Sequence, residues 1–273
     1  MLPSEIEAQL RDENSGLREK IMRDIGSSTV ALVRAVRSGE PGGATLGGTG
    51  SLVAIEDSHY ILTAAHVWQK FVAKGIEGVG LTLRENEEHQ FVLERKMIAA
   101  SPVPNVGIWG KEWGSDLTLL RIPPEYRGDI ERSKVFRNLT MKPLEPPAEP
   151  LQLCVLMGAP EVDVDFSEGI PDMRINAFFC HVSARHTREN FDYLDLEMDL
   201  TFPGIPENFG GVTGGGLWRA LVYGLPNGKI DWQLSPPMGV AFYQSPPENN
   251  ERIIRCHGPE SIRIAAAAVT VKN

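Results

Sequence analysis

Short strand-like runs, broken every few residues by Gly, Pro, Asn or Asp, constrain this chain more than any other feature. Thr29–Val36, Gly50–Ile55, Tyr60–Thr63, Gly80–Leu83, Phe91–Ala99 and Leu117–Ile122 form a first series, β-branched or alternating in character. Leu151–Met157, Asp172–Ser183, Tyr193–Met198, Leu217–Tyr223, Pro237–Tyr243 and Arg252–His257 form a second. Runs this short, bounded by turn residues, read as strands. Between the two series lies 142–150, which carries Pro143, Pro146, Pro147 and Pro150. Proline has no amide hydrogen and resists both helix and sheet, so this segment reads as a linker. Six short strands suit a small closed barrel, which leaves no unpaired edge. The expected fold is all-β: two six-stranded antiparallel barrels over 29–141 and 151–273.

Residues 4–25 read as an amphipathic helix within an N-terminal unit over 1–28. Ile6, Leu10, Leu17, Ile21 and Ile25 fall near helical spacing among charges, and Ser4 with Glu7 has the form of a capping box. The apolar face either packs on a barrel as a cap or docks a protein partner. A short C-terminal helix is expected over Pro259–Val269.

Composition narrows the function classes. The 273 residues hold ample core for one large domain or two small ones. The net charge of −9 argues against a nucleic-acid groove or an anionic membrane surface. No stretch has 18 consecutive apolar residues, so no membrane span is expected. The acidic start Met1-Leu2-Pro3-Ser4-Glu5 is unlike a secretory signal. Cys154, Cys180 and Cys256 are odd in number, so they cannot all pair within the chain. Together these features point to the cytoplasm, where the sequon Asn138-Leu139-Thr140 is idle. The pairs Cys180-His181 and Cys256-His257 match no metal-binding spacing, and neighbours on a strand face opposite sides. No metal and no cofactor are expected, and the thiols read as core residues.

Three further motifs carry chemistry. Tyr60-Ile61-Leu62-Thr63-Ala64-Ala65-His66 runs an apolar strand into a histidine. Gly114-Ser115-Asp116-Leu117-Thr118-Leu119-Leu120 sets a carboxylate at the head of an apolar strand. Gly211-Val212-Thr213-Gly214-Gly215-Gly216-Leu217 is a glycine-rich loop around a single hydroxyl. These resemble the histidine, aspartate and nucleophile motifs of the trypsin-like serine peptidases, with threonine in place of serine. The order is that of the chymotrypsin template. Gaps of 50 and 97 residues stand beside about 45 and about 93 in the template. The resemblance implies chymotrypsin-like double barrels that bring His66 and Asp116 from the first together with Thr213 from the second. It implies His66 as general base, Asp116 as its orienting partner, Thr213 as nucleophile, and the backbone amides of Gly211 and Thr213 as the oxyanion hole. A peptide or protein is then the substrate.

The chain departs from the family at several of these positions. Thr213 adds a methyl to the carbon that bears the hydroxyl and stiffens χ1. It is internal, so it lacks the N-terminal amine that threonine nucleophiles use as base. Val212 stands where many animal members carry an aspartate that pairs with a new N-terminus, so activation by cleavage is not expected. Gly239-Val240-Ala241-Phe242-Tyr243-Gln244 resembles the strand that walls the primary specificity pocket. There Phe242 stands in for a serine near the catalytic aspartate, and Gln244 for an open glycine. The expected pocket is shallow or altered, without an implied preference for basic side chains. Two functions stand side by side: a cytoplasmic endopeptidase slowed by its threonine, and a pseudopeptidase that holds a peptide or protein in the same cleft. A third places a regulating partner at the N-terminal helix.

Overall fold

The computed structural model describes residues 3–35, 46–73, 75–83, 91–101, 112–141, 150–161, 164–165 and 172–270. The 142–150 linker expectation falls outside the described residues except at Pro150.

Two strongly curled antiparallel half-barrel sheets dominate the fold. The first contains β1 (Thr29–Ala35), β2 (Leu46–Ile55), β3 (Ser58–Thr63), β4 (Gly78–Leu81), β5 (Phe91–Glu94), β6 (Ala99–Ala100), β7 (Thr118–Ile122) and β8 (Arg137–Asn138). Its order is β5-β4-β1-β2-β3-β7-β6, and β8 joins β2 in parallel. A small hairpin, β10 (Val164–Asp165) with β11 (Asp172–Met173), stands apart. The second sheet contains β9 (Leu151–Gly158), β12 (Asn176–Cys180), β13 (Val182–Arg188), β14 (Phe191–Asp199), β15 (Gly216–Gly224), β16 (Ile230–Leu234), β17 (Gly239–Gln244) and β18 (Glu251–His257). Its order is β12-β9-β15-β17-β18-β14-β13, with β16 on β15.

Each sheet thus has eight strands where six were expected, and forms an open path among the described residues. The Phe91–Ala99 run is interrupted because Arg95–Met97 turns as a 3-10 helix. The Asp172–Ser183 run divides among three strands.

The N-terminal helix is also divided. α1 (Pro3–Arg11) and α2 (Leu17–Gly26) flank a 3-10 turn, Glu13–Ser15. Asp12 leaves helical geometry and accepts a hydrogen bond from Asn14 N, and Gly16 is left-handed with φ 63°. Ser4 lies inside α1 rather than ahead of it, so it is not the cap. Three more helices follow: α3 (Ala65–Ala73), α4 (Pro124–Glu131) and α5 (Pro259–Thr270). Among the described residues no helix is long and apolar enough to cross a membrane.

Both faces of each sheet are covered, so alternate residues serve different cores. In β9 and β15, Val155, Met157, Trp218, Ala220 and Val222 pack outward against Ile6, Leu10, Leu17, Ile21 and Ile25 of the N-terminal helices. Their neighbours Leu156 and Leu217 face the interior, with Leu194, Leu196, Ile254 and Cys256. In the first sheet, Leu32, Leu52, Ile61 and Leu120 share an interior with Val67 and Phe71 of α3. Residues from the other face, among them Val53, Leu62 and Leu119, meet Ile262 of α5. Tyr193 and Phe242 of the second sheet pack into the first interior, so one apolar mass runs between the sheets.

Ile21 is fully buried under Trp218. Ile21→Ala is expected to lower stability by about 2–5 kcal/mol in urea unfolding, because it opens a void between α2 and the second sheet.

Candidate active site

The glycine-rich loop and the histidine motif meet at one corner between the sheets. The first sheet supplies the corner as β3 ends at Thr63 and α3 begins at Ala65. Gly214 of the loop lies against it: a Cβ there would stand 2.1 Å from Thr49 O, 2.1 Å from Thr63 Oγ1 and 3.3 Å from Ala64 N. Its φ of +87° also favours glycine. Gly211, at φ +84°, is equally constrained, since a Cβ would stand 2.4 Å from Ala159 O.

Thr49 of β2 fastens the loop. Its amide donates to Thr213 O at 2.8 Å and its hydroxyl to Gly211 O at 2.8 Å. The same hydroxyl accepts from Ala159 N at 3.0 Å, and Thr49 O accepts from Thr63 Oγ1 at 2.7 Å. Behind the loop, Gly214 N donates to Ala241 O and Ala241 N to Gly215 O, which ties it to β17.

His66 stands in the first turn of α3, 6% exposed. Asp116, in the turn ahead of β7, grips it twice. His66 N donates to Asp116 Oδ1 at 2.8 Å, and His66 Nδ1 lies 2.5 Å from Asp116 Oδ2. With Nδ1 bonded to the carboxylate, Nε2 is the free ring nitrogen. No hydrogen bond joins that nitrogen to the Thr213 hydroxyl. Among the described residues the amides of Gly211 and Thr213 donate to no acceptor.

The second sheet reaches across to hold Asp116. Asp116 N donates to His257 Nε2 at 3.0 Å and to Gly114 O at 3.1 Å. Tyr193 Oη accepts from Gly114 N at 3.2 Å and donates to Gly114 O at 3.3 Å. One residue earlier, Trp113 is sandwiched by the guanidinium groups of Arg255 at 3.6 Å and Arg188 at 3.8 Å. Arg255 in turn bonds both oxygens of Asp195, at 2.6 and 2.8 Å, and Glu112 at 2.8 Å. Burial pushes the Asp195 carboxyl up, but its bonds to Arg255 and His186 outweigh that and hold it below the usual range. His257 is fully buried, and burial pushes it down to about 4 against the opposing pull of Asp116 and Asp192.

The three expected wall residues fall in different settings. Phe242 sits at the register shift of β17 on β18 and stacks on His257, with centroids 4.4 Å apart. Tyr243 lies beneath the Arg255 guanidinium, 5.8 Å from its ring centroid. Gln244 braces the root of the loop: Oε1 accepts from Phe209 N at 3.0 Å and Nε2 donates to Asn208 Oδ1 at 2.8 Å. Arg252 donates to the same Oε1 at 2.5 Å. The three cysteines are free thiols, Cys256 in the interior and Cys180 pushed up to about 12 by burial. Among the described residues no three His, Cys, Asp or Glu side chains gather as a metal-holding group.

No protein-family model matches this chain, and no curated protein matches it either.

Thr49, Tyr193 and Arg255 escaped the sequence reading, and His257 entered it only as half of the dismissed Cys256-His257 pair. Their roles arise from contacts between distant parts of the chain, such as Thr49 with Gly211 and Tyr193 with Gly114, 162 and 79 residues apart. Two outcomes test the geometry. Thr49→Val keeps the shape but leaves Gly211 O and Ala159 N unpaired, so urea unfolding is expected to show a loss of about 2–4 kcal/mol. The unfolded chain protonates His257 near pH 6.5, whereas the folded chain does so only near pH 4. The unfolded state therefore holds more protons in that window, and stability falls as pH drops from 6.5 to 4. Comparison with His257→Gln across that window is expected to isolate a loss of about 3 kcal/mol.

Proposed function

We propose that the chain is a trypsin-like hydrolase of peptide bonds that works through His66, Asp116 and Thr213 at the seam of two chymotrypsin-type barrels. The observation that carries this reading is the two-bond grip of Asp116 on His66, set beside a loop whose Gly211 and Thr213 amides donate to no acceptor among the described residues. A carboxylate on Nδ1 fixes the tautomer and offsets charge on the ring once Nε2 takes a proton. That is the arrangement general-base catalysis requires.

The steps follow from these groups. Thr213 Oγ1 attacks the scissile carbonyl carbon while His66 Nε2 takes the hydroxyl proton. The carbonyl oxygen becomes an oxyanion, met by the amides of Gly211 and Thr213. Each such preorganised donor is worth about 3 kcal/mol in comparable sites. The intermediate collapses, the C–N bond breaks, and His66 returns the proton to the departing amine. Water then attacks the acyl carbon while His66 takes its proton, the C–O bond to Thr213 breaks, and His66 returns that proton to Thr213 Oγ1 as the acid leaves. Gln244 braces the root of the loop, whereas Phe242 is buried against His257 in the apolar contact between the sheets.

One observation favours a second reading, a pseudopeptidase that binds a peptide or protein without cleaving it. Thr213 Oγ1 makes no hydrogen bond to His66, and the second γ substituent of threonine restricts the χ1 rotation that would bring the hydroxyl to the ring. Small misplacements of a nucleophile cost about 100-fold in rate.

A fluorophosphonate probe separates the two readings. Slow labelling of the natural chain at Thr213, accelerated about 10- to 100-fold in Thr213→Ser and abolished in the His66→Ala double variant, is the expected result. Labelling of the Ser variant with none of the natural chain assigns the pseudopeptidase. A Ser variant that stays unlabelled removes the catalytic reading altogether.

A further inference from the structure

His257 is the least expected group around Asp116. It closes β18, with Val240 opposite it on β17. Its ring is boxed by Phe242, by Tyr193 at 5.2 Å and by Phe191 at 5.8 Å. Such a box suits an apolar ring, and a histidine there carries a penalty. Nδ1 is buried with no hydrogen-bond partner among the described residues. An unpaired buried donor costs about 1–3 kcal/mol, which a phenylalanine or leucine would avoid.

The opposite nitrogen supplies the compensation. Nε2 faces the Asp116 amide at 3.0 Å, and an amide only donates, so Nε2 must be unprotonated and the ring proton must sit on Nδ1. The other partner of that amide, Gly114 O, lies within the same three-residue turn and moves with it. His257 is therefore the acceptor that fixes the Asp116 backbone from outside its own segment. Because Asp116 reaches His66 with both oxygens, a shift of that backbone displaces the imidazole.

We propose that His257 is a positioning residue for the catalytic pair: an Nδ1-protonated imidazole on the second sheet whose Nε2 holds the Asp116 amide and thereby sets the carboxylate against His66. The proposal rests on the reading of His66 and Asp116 as a catalytic pair. It differs from a packing role in what it requires of a substitute. An acceptor in a poor shape should serve better than a good shape without an acceptor.

Three chains test it: the natural protein, His257→Gln, which retains an acceptor oxygen, and His257→Leu, which fills the box without one. In the 15N-histidine NMR spectrum of the natural chain, His257 is expected to show an unprotonated Nε2 and a protonated Nδ1 from pH 5.5 to 9. A proton on Nε2 overturns the proposal without recourse to any variant. The low-field His66 Nδ1 proton is expected to persist in His257→Gln and to exchange at least tenfold faster in His257→Leu. In the Thr213→Ser background, fluorophosphonate labelling should fall about tenfold with Leu and stay within about threefold with Gln, as befits one hydrogen bond. Equal or better retention of both signals by Leu assigns a packing role and ends the proposal. If the Thr213→Ser chain is not labelled at all, the peptidase reading fails, and the His66 resonance alone decides on His257.

Discussion

One buried threonine holds the two halves of this molecule in working register. Thr49 uses its amide, its hydroxyl and its carbonyl in four hydrogen bonds: three cross to the second half of the chain, and the fourth closes the corner at Thr63. The side chain is wholly enclosed, so none of these bonds is exchanged with solvent. In such surroundings polar groups must be satisfied by the protein itself. The loop around Thr213 thus has a single seat, against the strand that leads into His66. Glycine at 211 and 214 is what lets the two backbones come close enough for that seat to exist.

The aspartate is held in a different way. His66 and Asp116 belong to the first half of the chain, yet the groups that fix the Asp116 backbone come from β14 and β18 of the second sheet. Arg255 extends this by pairing with Asp195 on its own sheet and stacking on Trp113 across the gap. Charge, stacking and hydrogen bonding all act on one short stretch, 112–116. The seam is therefore a polar joint embedded in the apolar contact of Tyr193 and Phe242 with the first interior. The apolar contact draws the sheets together without direction, and the polar groups supply the direction.

Most of the strand plan was readable from period and punctuation. β1, β3, β7, β9, β15 and β18 lie within a few residues of the runs that suggested them. The number of strands was less legible. β16 carries the alternation Ile230, Asp231, Trp232, Gln233, Leu234, but its five residues sit between turn-rich stretches and were passed over. Single strand pairs such as β6 and β8 have no periodic signal at all. The break between α1 and α2 was written in Asp12 and Gly16, although the apolar spacing ran across it. At the site, the sequence motifs named His66, Asp116 and Thr213, and the fold brings the first two into contact and the loop of the third to the same corner. The supporting groups were invisible for a physical reason. Thr49, Tyr193 and His257 act through one to three long-range hydrogen bonds each, and such bonds leave no mark on local composition.

The start of α5 has a consequence for the chemistry of its neighbour. Asp192 caps that helix, accepting from Ser261 N at 2.7 Å, Glu260 N at 3.1 Å and Ser261 Oγ at 2.7 Å. Anions are favoured at a helix beginning because the unpaired amides there are partly positive. Asp192 is also one of the two carboxylates whose field draws a proton toward His257. The cap fixes this carboxylate beside the enclosed imidazole, so it is burial, outweighing the pull of both carboxylates, that keeps the ring uncharged. The C-terminal helix, lying on the outer face of the first sheet, is thereby pinned to the beginning of a strand of the second.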